Sequence, residues 1–517
     1  MASDRYDAVP YPSTLFPQTH PDRTGALAAL FGMDPAPVDR CRVLELGCGD
    51  GSNLIPMALS LPESRFVGVD LAAQPVARGT EIIKALGLEN VTLRQANILD
   101  LARDRALADG PFDYIIAHGL YSWVPSDVRT AVLGICRDAL GPQGVAFVSY
   151  NAFPGGHIRQ MAREALLFHA AAADPTTQTA AAQGFAQFLA AALPAGDEFA
   201  FLRHEFRAIA ERSPDLLFHD DLSPDHQPLY FHQFVEQASA HGLQYLAEAD
   251  FQEMGPAHFS AEVQAALAAI EQARGLVAKE QYMDFLKVRR FRQTLLCPAA
   301  ARIDRAHLPQ RVDRLLVGAP LRPGGDRVDL APGAAAEFHG PRGSALSTAH
   351  PATKAALLYI GEQWPRRVAW TELWSHAASV TGTDPQAPGA EQSAQGLREA
   401  LVESAAAGVV TFYAHGPRVV ARAGDYPATS PLTRLLAGRP DVPLLPTLLH
   451  TAVRIDDALG RYLLQLLDGT RTRAELLARL AEWARSSAGS SEARHQISAA
   501  RLDDSLRGLA GLGFLSA

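Results

Sequence analysis

Cysteine is nearly missing from this 517-residue chain: Cys41, Cys48, Cys136 and Cys297 are the four, widely spaced and without a C-x-x-C pair. That excludes a disulfide framework and a zinc ribbon, and no metal is expected. Lysine is almost as scarce. Of 47 basic residues only Lys84, Lys279, Lys287 and Lys354 are lysine. With the many alanines, this bias fits GC-rich bacterial coding and argues against extensive self-modification on lysine. No apolar run reaches the roughly 18 residues of a membrane span. The first residues, MASDRYDAVPYPS, carry Asp4, Arg5 and Asp7 where a secretory signal would be apolar, so a cytoplasmic protein is expected. Positive charge is not in excess either: 56 acids outnumber 47 bases, a net charge of −9. A dedicated nucleic-acid binder would show a basic footprint instead.

What is present is strand–helix alternation over residues 41–150. The runs CRVLELG, RFVGVDL, VTLRQANIL, FDYIIAHG and GVAFVSY read as five buried strands separated by helical patterns. This predicts an α/β, Rossmann-like doubly wound parallel sheet, with ligands at the carboxyl ends of its strands. Residues 156–215 turn helical and alanine-rich, 216–300 mix helices with loops, and 301–350 are rich in Pro, Gly and Arg, as in a linker. Residues 351–517 read as mostly helical, with two winged-helix-like units. The first is a helical trio followed by VVTFYAHGPRVVA as a hairpin; the second runs from about Val453 to the closing SLRGLAGLGFLSA. Residues 351–425 carry Lys354 and five arginines against seven acids, and 445–517 carry nine arginines against eight acids. Neither balance suits DNA, so packing or protein contact is expected of both units.

VLELGCGDG, from Val43 to Gly51, carries the strongest chemical signal. An apolar strand runs into a turn where Gly47 and Gly49 let the backbone bend sharply and approach a ligand. Ser52 stands where a nicotinamide-type G-x-G-x-x-G would place its third glycine. Glu45, at the strand end, suits the cationic methionine part of S-adenosylmethionine. Asp70 ends the second strand 23 residues after Gly47, where a carboxylate accepts from both ribose hydroxyls; alone it would read as a turn or N-cap aspartate. Leu71 follows it into the cofactor site. Asn97 and Ile98 end the third strand where adenine would lie, with Asp100 a competing candidate.

The fourth strand runs out into AHGLYSWVP, where a methyl would meet its acceptor. Tyr121 and Trp123 are expected to wall a methyl channel. His118 is expected to line the sulfonium end or shuttle a proton. The alternative is a satisfied loop histidine and two core aromatics. After strand five, Tyr150 and Asn151 could orient a nucleophilic amine, and His157 could cap the next helix or reach the site. The acidic- or Asn-Pro-Pro-aromatic motif of amino-methylating nucleic-acid enzymes is absent. The Pro-rich leader YDAVPYPSTLFPQTHP is expected to fold over the cofactor as a lid, with Tyr11, Phe16 and Thr19 in contact, or to strap the first helix.

Together VLELGCGDG, VGVDL, FDYIIAHGLYSWVP, ICRDAL and VSYNAFPGGH resemble the bacterial class I methyltransferases that carry a methyltransferase regulatory domain. LFHDDL (217–222), PLYFHQF (228–234), LQYLAEA (243–249) and QYMDFLKVRRFRQTLLC (281–297) resemble that regulatory domain. The rickettsial protein-lysine methyltransferases acting on outer-membrane proteins look like members of the group. The resemblance implies a S-adenosylmethionine domain with an N-terminal lid over 1–155 and a helical segment over 156–215 able to dimerise. It implies a regulatory or middle domain over 216–300 and a C-terminal domain over 351–517. Gly156 departs from the family's usual Pro-Gly-Trp-His turn, which weakens the carry-over of that turn's substrate role. The expected activity is methyl transfer to a protein lysine, on an outer-membrane or surface protein, by in-line displacement. A small-molecule N- or O-methyltransferase and a non-catalytic S-adenosylmethionine-binding regulator are the alternatives.

Overall fold

The computed structural model describes residues 7, 9, 11, 14–104, 110–174, 177–384, 387–486 and 497–516. All five apolar runs form strands: β1 (Arg42–Leu46), β2 (Arg65–Asp70), β3 (Val91–Gln95), β4 (Phe112–Ala117) and β5 (Leu140–Asn151). They pair in parallel. Apart from the edge strand β3, most of their residues are buried on both faces, so helices must cover both sides. Helices α1 (Pro21–Leu30), α2 (Leu54–Ser60), α3 (Ala73–Leu86), α4 (Ile98–Asp104) and α5 (Ser126–Ala139) lie before and between them. The strand order is β3-β2-β1-β4-β5-β7-β6. It reverses direction between β1 and β4, which opens the ligand crevice at the carboxyl end of β1.

The last two strands come from farther along the chain. β6 (Leu243–Glu248) and β7 (Phe291–Pro298) pair antiparallel with each other, and β7 pairs antiparallel with β5. The segment 216–300, expected as a regulatory or middle domain, therefore completes the sheet. Between β5 and β6, helices α6 (Gly156–Ala170), α7 (Gln178–Ala192) and α8 (Ala200–Ala210) form an insert. Its own small core includes Leu166, Ala182, Ala186, Phe206 and Ile209. Helix α9 (Phe231–Ala240) returns to the sheet and joins α5 on one face through Phe234 and Ala238.

The other face is covered by α1, α2, α3 and part of the C-terminal half, in one continuous core. Residues 301–350 belong to that half and are not a linker. β8 (Leu316–Gly318) is the central strand of a small sheet, between β9 (Val368–Ala369) and β10 (Thr411–Tyr413). Three buried apolar residues, Leu315, Val317 and Ala319, anchor it, and the surrounding Pro, Gly and Arg hide that run in the composition. The hairpin expected over VVTFYAHGPRVVA does not form. β10 pairs with β8, while Val419 bridges Ser516 of the second unit. That second unit begins ahead of Val453. Its hairpin is Leu444–Pro446 against Ala452–Arg454, and its leucine-rich core includes Leu463, Leu476, Leu506 and Phe514. Among the described residues no helix is long and apolar enough to cross a membrane.

Candidate active site

The glycine turn after β1 is tied to β2 by its own backbone. The N–H groups of Gly47 and Cys48 donate to the Val69 carbonyl at 2.8 and 3.1 Å. Gly47 and Gly49 have φ of +76° and +54°, a left-handed conformation that costs glycine nothing. A Cβ on Gly49 would meet no atom within 4 Å, so the turn faces open space. At Gly79 of α3, by contrast, a Cβ would fall 2.1 Å from the Asp50 carbonyl oxygen. Only glycine lets that helix close on the turn. Asp70, at the end of β2, accepts from Gly49 N–H at 2.8 Å and Ala72 N–H at 2.9 Å, one per carboxylate oxygen. Burial raises its pKa against these hydrogen bonds.

Glu45 is 4% exposed. Its Oε1 accepts from Asn53 Nδ2 at 2.8 Å, and its Oε2 has no partner. Burial pushes its pKa up to about 8. A buried carboxylate oxygen left unpaired is costly, and a ligand's ammonium would satisfy it. Open space above Gly49, an orphaned acid at Glu45 and a second carboxylate at Asp70 together fit a cofactor with a cationic amino acid at one end and a ribose at the other. Toward the base end, Asn97 Oδ1 accepts from Leu99 N–H at 2.9 Å and so caps α4. Ile98 is half-buried against the sheet core, and Leu71 is exposed. Asp100 is exposed and sits 3.6 Å from Arg103.

His118, at the end of β4, lies inside an aromatic box. Phe16 stacks on it at 3.7 Å between centroids, Phe147 lies at 5.7 Å, and Phe291 presents an edge at 6.2 Å. Burial holds its pKa near 4, so the ring is neutral at pH 7. Trp123 and Asn151 meet at His226. The Trp123 and His226 ring centroids are 4.8 Å apart, and Asn151 Nδ2 is 2.9 Å from His226 Nε2. Tyr121 and Tyr150, expected in the channel, are placed in the core instead. Both are 1% exposed, packed on Phe234. Tyr121 donates to Gln237 Oε1 at 2.7 Å, and Thr294 Oγ1 donates to the Tyr150 hydroxyl at 3.5 Å. Successive strand residues face opposite sides, so Tyr150 and Asn151 cannot line one wall together. His157 stacks on Phe153 at 4.0 Å, beside Tyr230.

The leader crosses the carboxyl edge of the sheet as a strap. Gln74 N–H donates to Asp7, the Val9 carbonyl lies 2.7 Å from His219 Nε2, and Tyr11 packs on His219 at 5.6 Å. Phe16 then covers His118. Thr19 is buried and hydrogen-bonded to Asn53, at 3.0 Å from its Nδ2; it touches Glu45's partner, not the open space. Tyr6 and Pro10 lie outside the described residues. Next to Phe291, a cavity of about 530 Å³ runs along the edge of β6 and β7, lined by Phe201, Val288, Glu248, Asp250 and Glu253 among others. Among the described residues no group of three His, Cys, Asp or Glu could hold a metal ion.

Sequence reasoning missed Asn53, His226, Phe291 and His450. Asn53 alone had a local signal, eight residues after Glu45 and one helical turn from the glycines.

Three family models match successive parts of the chain. Residues 37–188 match a methyltransferase domain, 213–298 a predicted methyltransferase regulatory domain, and 425–510 the PKMT C-terminal winged helix domain. Uncharacterized protein RP789 of Rickettsia prowazekii (strain Madrid E) is 33% identical over 380 residues, 72% of this chain and 68% of that one. Uncharacterized protein RP028 of the same organism is 34% identical over 236 residues, 45% of this chain and 93% of that one. The solved structure of PKMT2 from Rickettsia typhi is 26% identical, with a TM-score of 0.85 over 98% of this chain and 100% of that one. The same protein in complex with AdoHcy superposes with a TM-score of 0.84. The chain thus belongs to the bacterial class I methyltransferases that carry a methyltransferase regulatory domain, and S-adenosylmethionine is its methyl donor.

Proposed function

We propose that the methyl acceptor is a lysine amine on a protein. The observation that carries this reading is the likeness to PKMT2 along 98% of the chain, winged-helix unit included. The cavity beside Phe291 supports it: exposed Phe201, Val288 and Phe291 open it to solvent, as a peptide needs and an enclosed metabolite pocket does not.

Glu45 binds the amino group of the cofactor's methionine portion, Asp70 the ribose hydroxyls, and Leu71, Asn97 and Ile98 flank the base. The cofactor supplies both electrophile and leaving group, so the protein contributes orientation and exclusion of water. An ammonium has no lone pair and must shed its proton before attack. The box of Phe16, His118, Phe147 and Phe291 favours the neutral amine by desolvation. His118, itself neutral, adds no charge and presents its ring to the sulfonium end. Asn151, held by His226, and Trp123 orient the incoming chain. Tyr121 and Tyr150 stiffen β5 from beneath. The helical insert, with exposed Phe168 and Phe188, provides a self-association face.

Transfer of labelled methyl from S-adenosylmethionine into fractionated bacterial lysate tests the acceptor. The expected result is label on protein, located on lysine by mass spectrometry and absent with Asp70→Ala. Label confined to the small-molecule fraction would refute the lysine reading.

A further inference from the structure

The second C-terminal unit reaches the cofactor site with one side chain. Its hairpin, Leu444–Pro446 against Ala452–Arg454, is closed by the turn Thr447–Thr451. There Thr447 N–H donates to the Thr451 carbonyl at 2.8 Å, and the two threonine hydroxyls lie 2.7 Å apart. His450, inside that turn, has φ of +56°. A left-handed histidine is uncommon and persists only where its surroundings over-determine it. It is 6% exposed, and its Nε2 lies 2.9 Å from Asn53 Oδ1, 397 residues away.

Asn53 Oδ1 also accepts from Phe16 N–H at 3.2 Å, while the Thr19 hydroxyl donates to the Phe16 carbonyl at 2.8 Å and accepts from Asn53 Nδ2 at 3.0 Å. With donors converging on its oxygen, the amide nitrogen must face the other way. There it donates to Glu45 Oε1 at 2.8 Å. Burial keeps the His450 ring neutral; facing an amide oxygen that Phe16 N–H fixes on this side, its Nε2 carries the ring's one proton. Flipping the amide would set donor against donor at Phe16 N–H and leave Glu45 without its partner.

We infer that His450 is a positioning residue for methyl transfer, contributed by the winged-helix unit: it fixes the orientation of Asn53 and, through it, of the carboxylate of Glu45. The inference rests on Glu45 being the partner of the cofactor's amino group. It assigns the winged-helix unit a part in cofactor binding, in addition to any contact with substrate.

Titration of the full chain with S-adenosylmethionine and S-adenosylhomocysteine tests it. His450→Leu is expected to weaken both roughly tenfold, with turnover at saturating cofactor near wild type. His450→Gln, which keeps a donor, is expected to restore most of the affinity. In an Asn53→Ala background His450→Leu should add nothing, whereas a purely structural loss would add in full. Unchanged affinity in His450→Leu, or full additivity, overturns the inference. Unchanged affinity in Glu45→Gln would refute the role of Glu45 itself and is read separately from the His450 pair. Should His450→Leu not fold, hydrogen exchange on the wild type decides. S-adenosylhomocysteine must slow exchange over 447–451, and no change there overturns the proposal.

Discussion

Glu45 and Asp70 are both raised by burial, yet they face different partners. With its pKa near 8, Glu45 is largely protonated at pH 7 before the cofactor arrives. Pairing with an ammonium requires the carboxylate, so binding at pH 7 should release close to one proton per cofactor. Calorimetry in buffers of different ionisation enthalpy measures this, and Glu45→Gln should abolish the release. The sign for folding is opposite to that of a salt-bridged acid. A raised folded pKa stabilises fully below the unfolded value of about 4.3 and is lost as pH rises through 8. The cofactor-free protein should therefore gain more from added cofactor at pH 8.5 than at pH 6 in thermal melts. Asp70→Ala removes the side-chain anchor of the glycine turn at Gly49 N–H together with the carboxylate proposed for the ribose, and cofactor binding is expected to fall beyond detection in a standard titration.

At the scale of elements, the sheet and its glycine turn were readable because their signals are local. Apolar runs define β1–β5, and Asp70 follows the turn by a fixed strand–helix–strand interval. Three things were not local. β6 and β7 join the sheet only after the helical insert, and no pattern in FRQTLLCP says that its partner is GVAFVSY. Tyr121 lies in a single 3-10 turn, Tyr121–Trp123, where neither strand nor helix periodicity tells in from out. The approach of His450 to Asn53 leaves no trace in either neighbourhood. The strap is the element most open to test. Phe16→Ala unstacks the ring over His118 and should lower turnover more than cofactor affinity, separated by comparing kcat with binding constants. On the insert, Phe168 and Phe188 stand 85% and 61% exposed. Changing both to Glu should shift the protein toward monomer in light scattering, with methyl transfer judged independently.

For the whole molecule, α1 joins the methyltransferase sheet to the C-terminal half. Burial works to raise Asp22, but Arg367 and His20 together hold it well below the ordinary carboxylate range. Arg367 reaches it from beside β9 and lies over the Tyr413 ring of β10 at 3.6 Å. Removing one partner of such a pair strands a buried charge, at a cost of about 3–5 kcal/mol. Arg367→Met is therefore expected to lower the melting temperature clearly. Because the folded pKa of Asp22 is depressed, its contribution is present above the unfolded value of about 3.9 and fades as pH falls below it. The deficit of the variant should accordingly shrink in acid.

The contact between positions 53 and 450 also sets an order in time. A ribosome emits the strap, the glycine turn and all seven strands of the sheet well before the turn at 447–451 leaves its exit tunnel, at roughly 5–20 residues per second. The sheet can thus form co-translationally while its amino-group pocket still lacks one hydrogen bond. A nascent or prematurely terminated chain would hold the methyl donor weakly, and full affinity would arrive only with the finished polypeptide. Synthesis itself would serve as a check on which molecules are competent to transfer a methyl group.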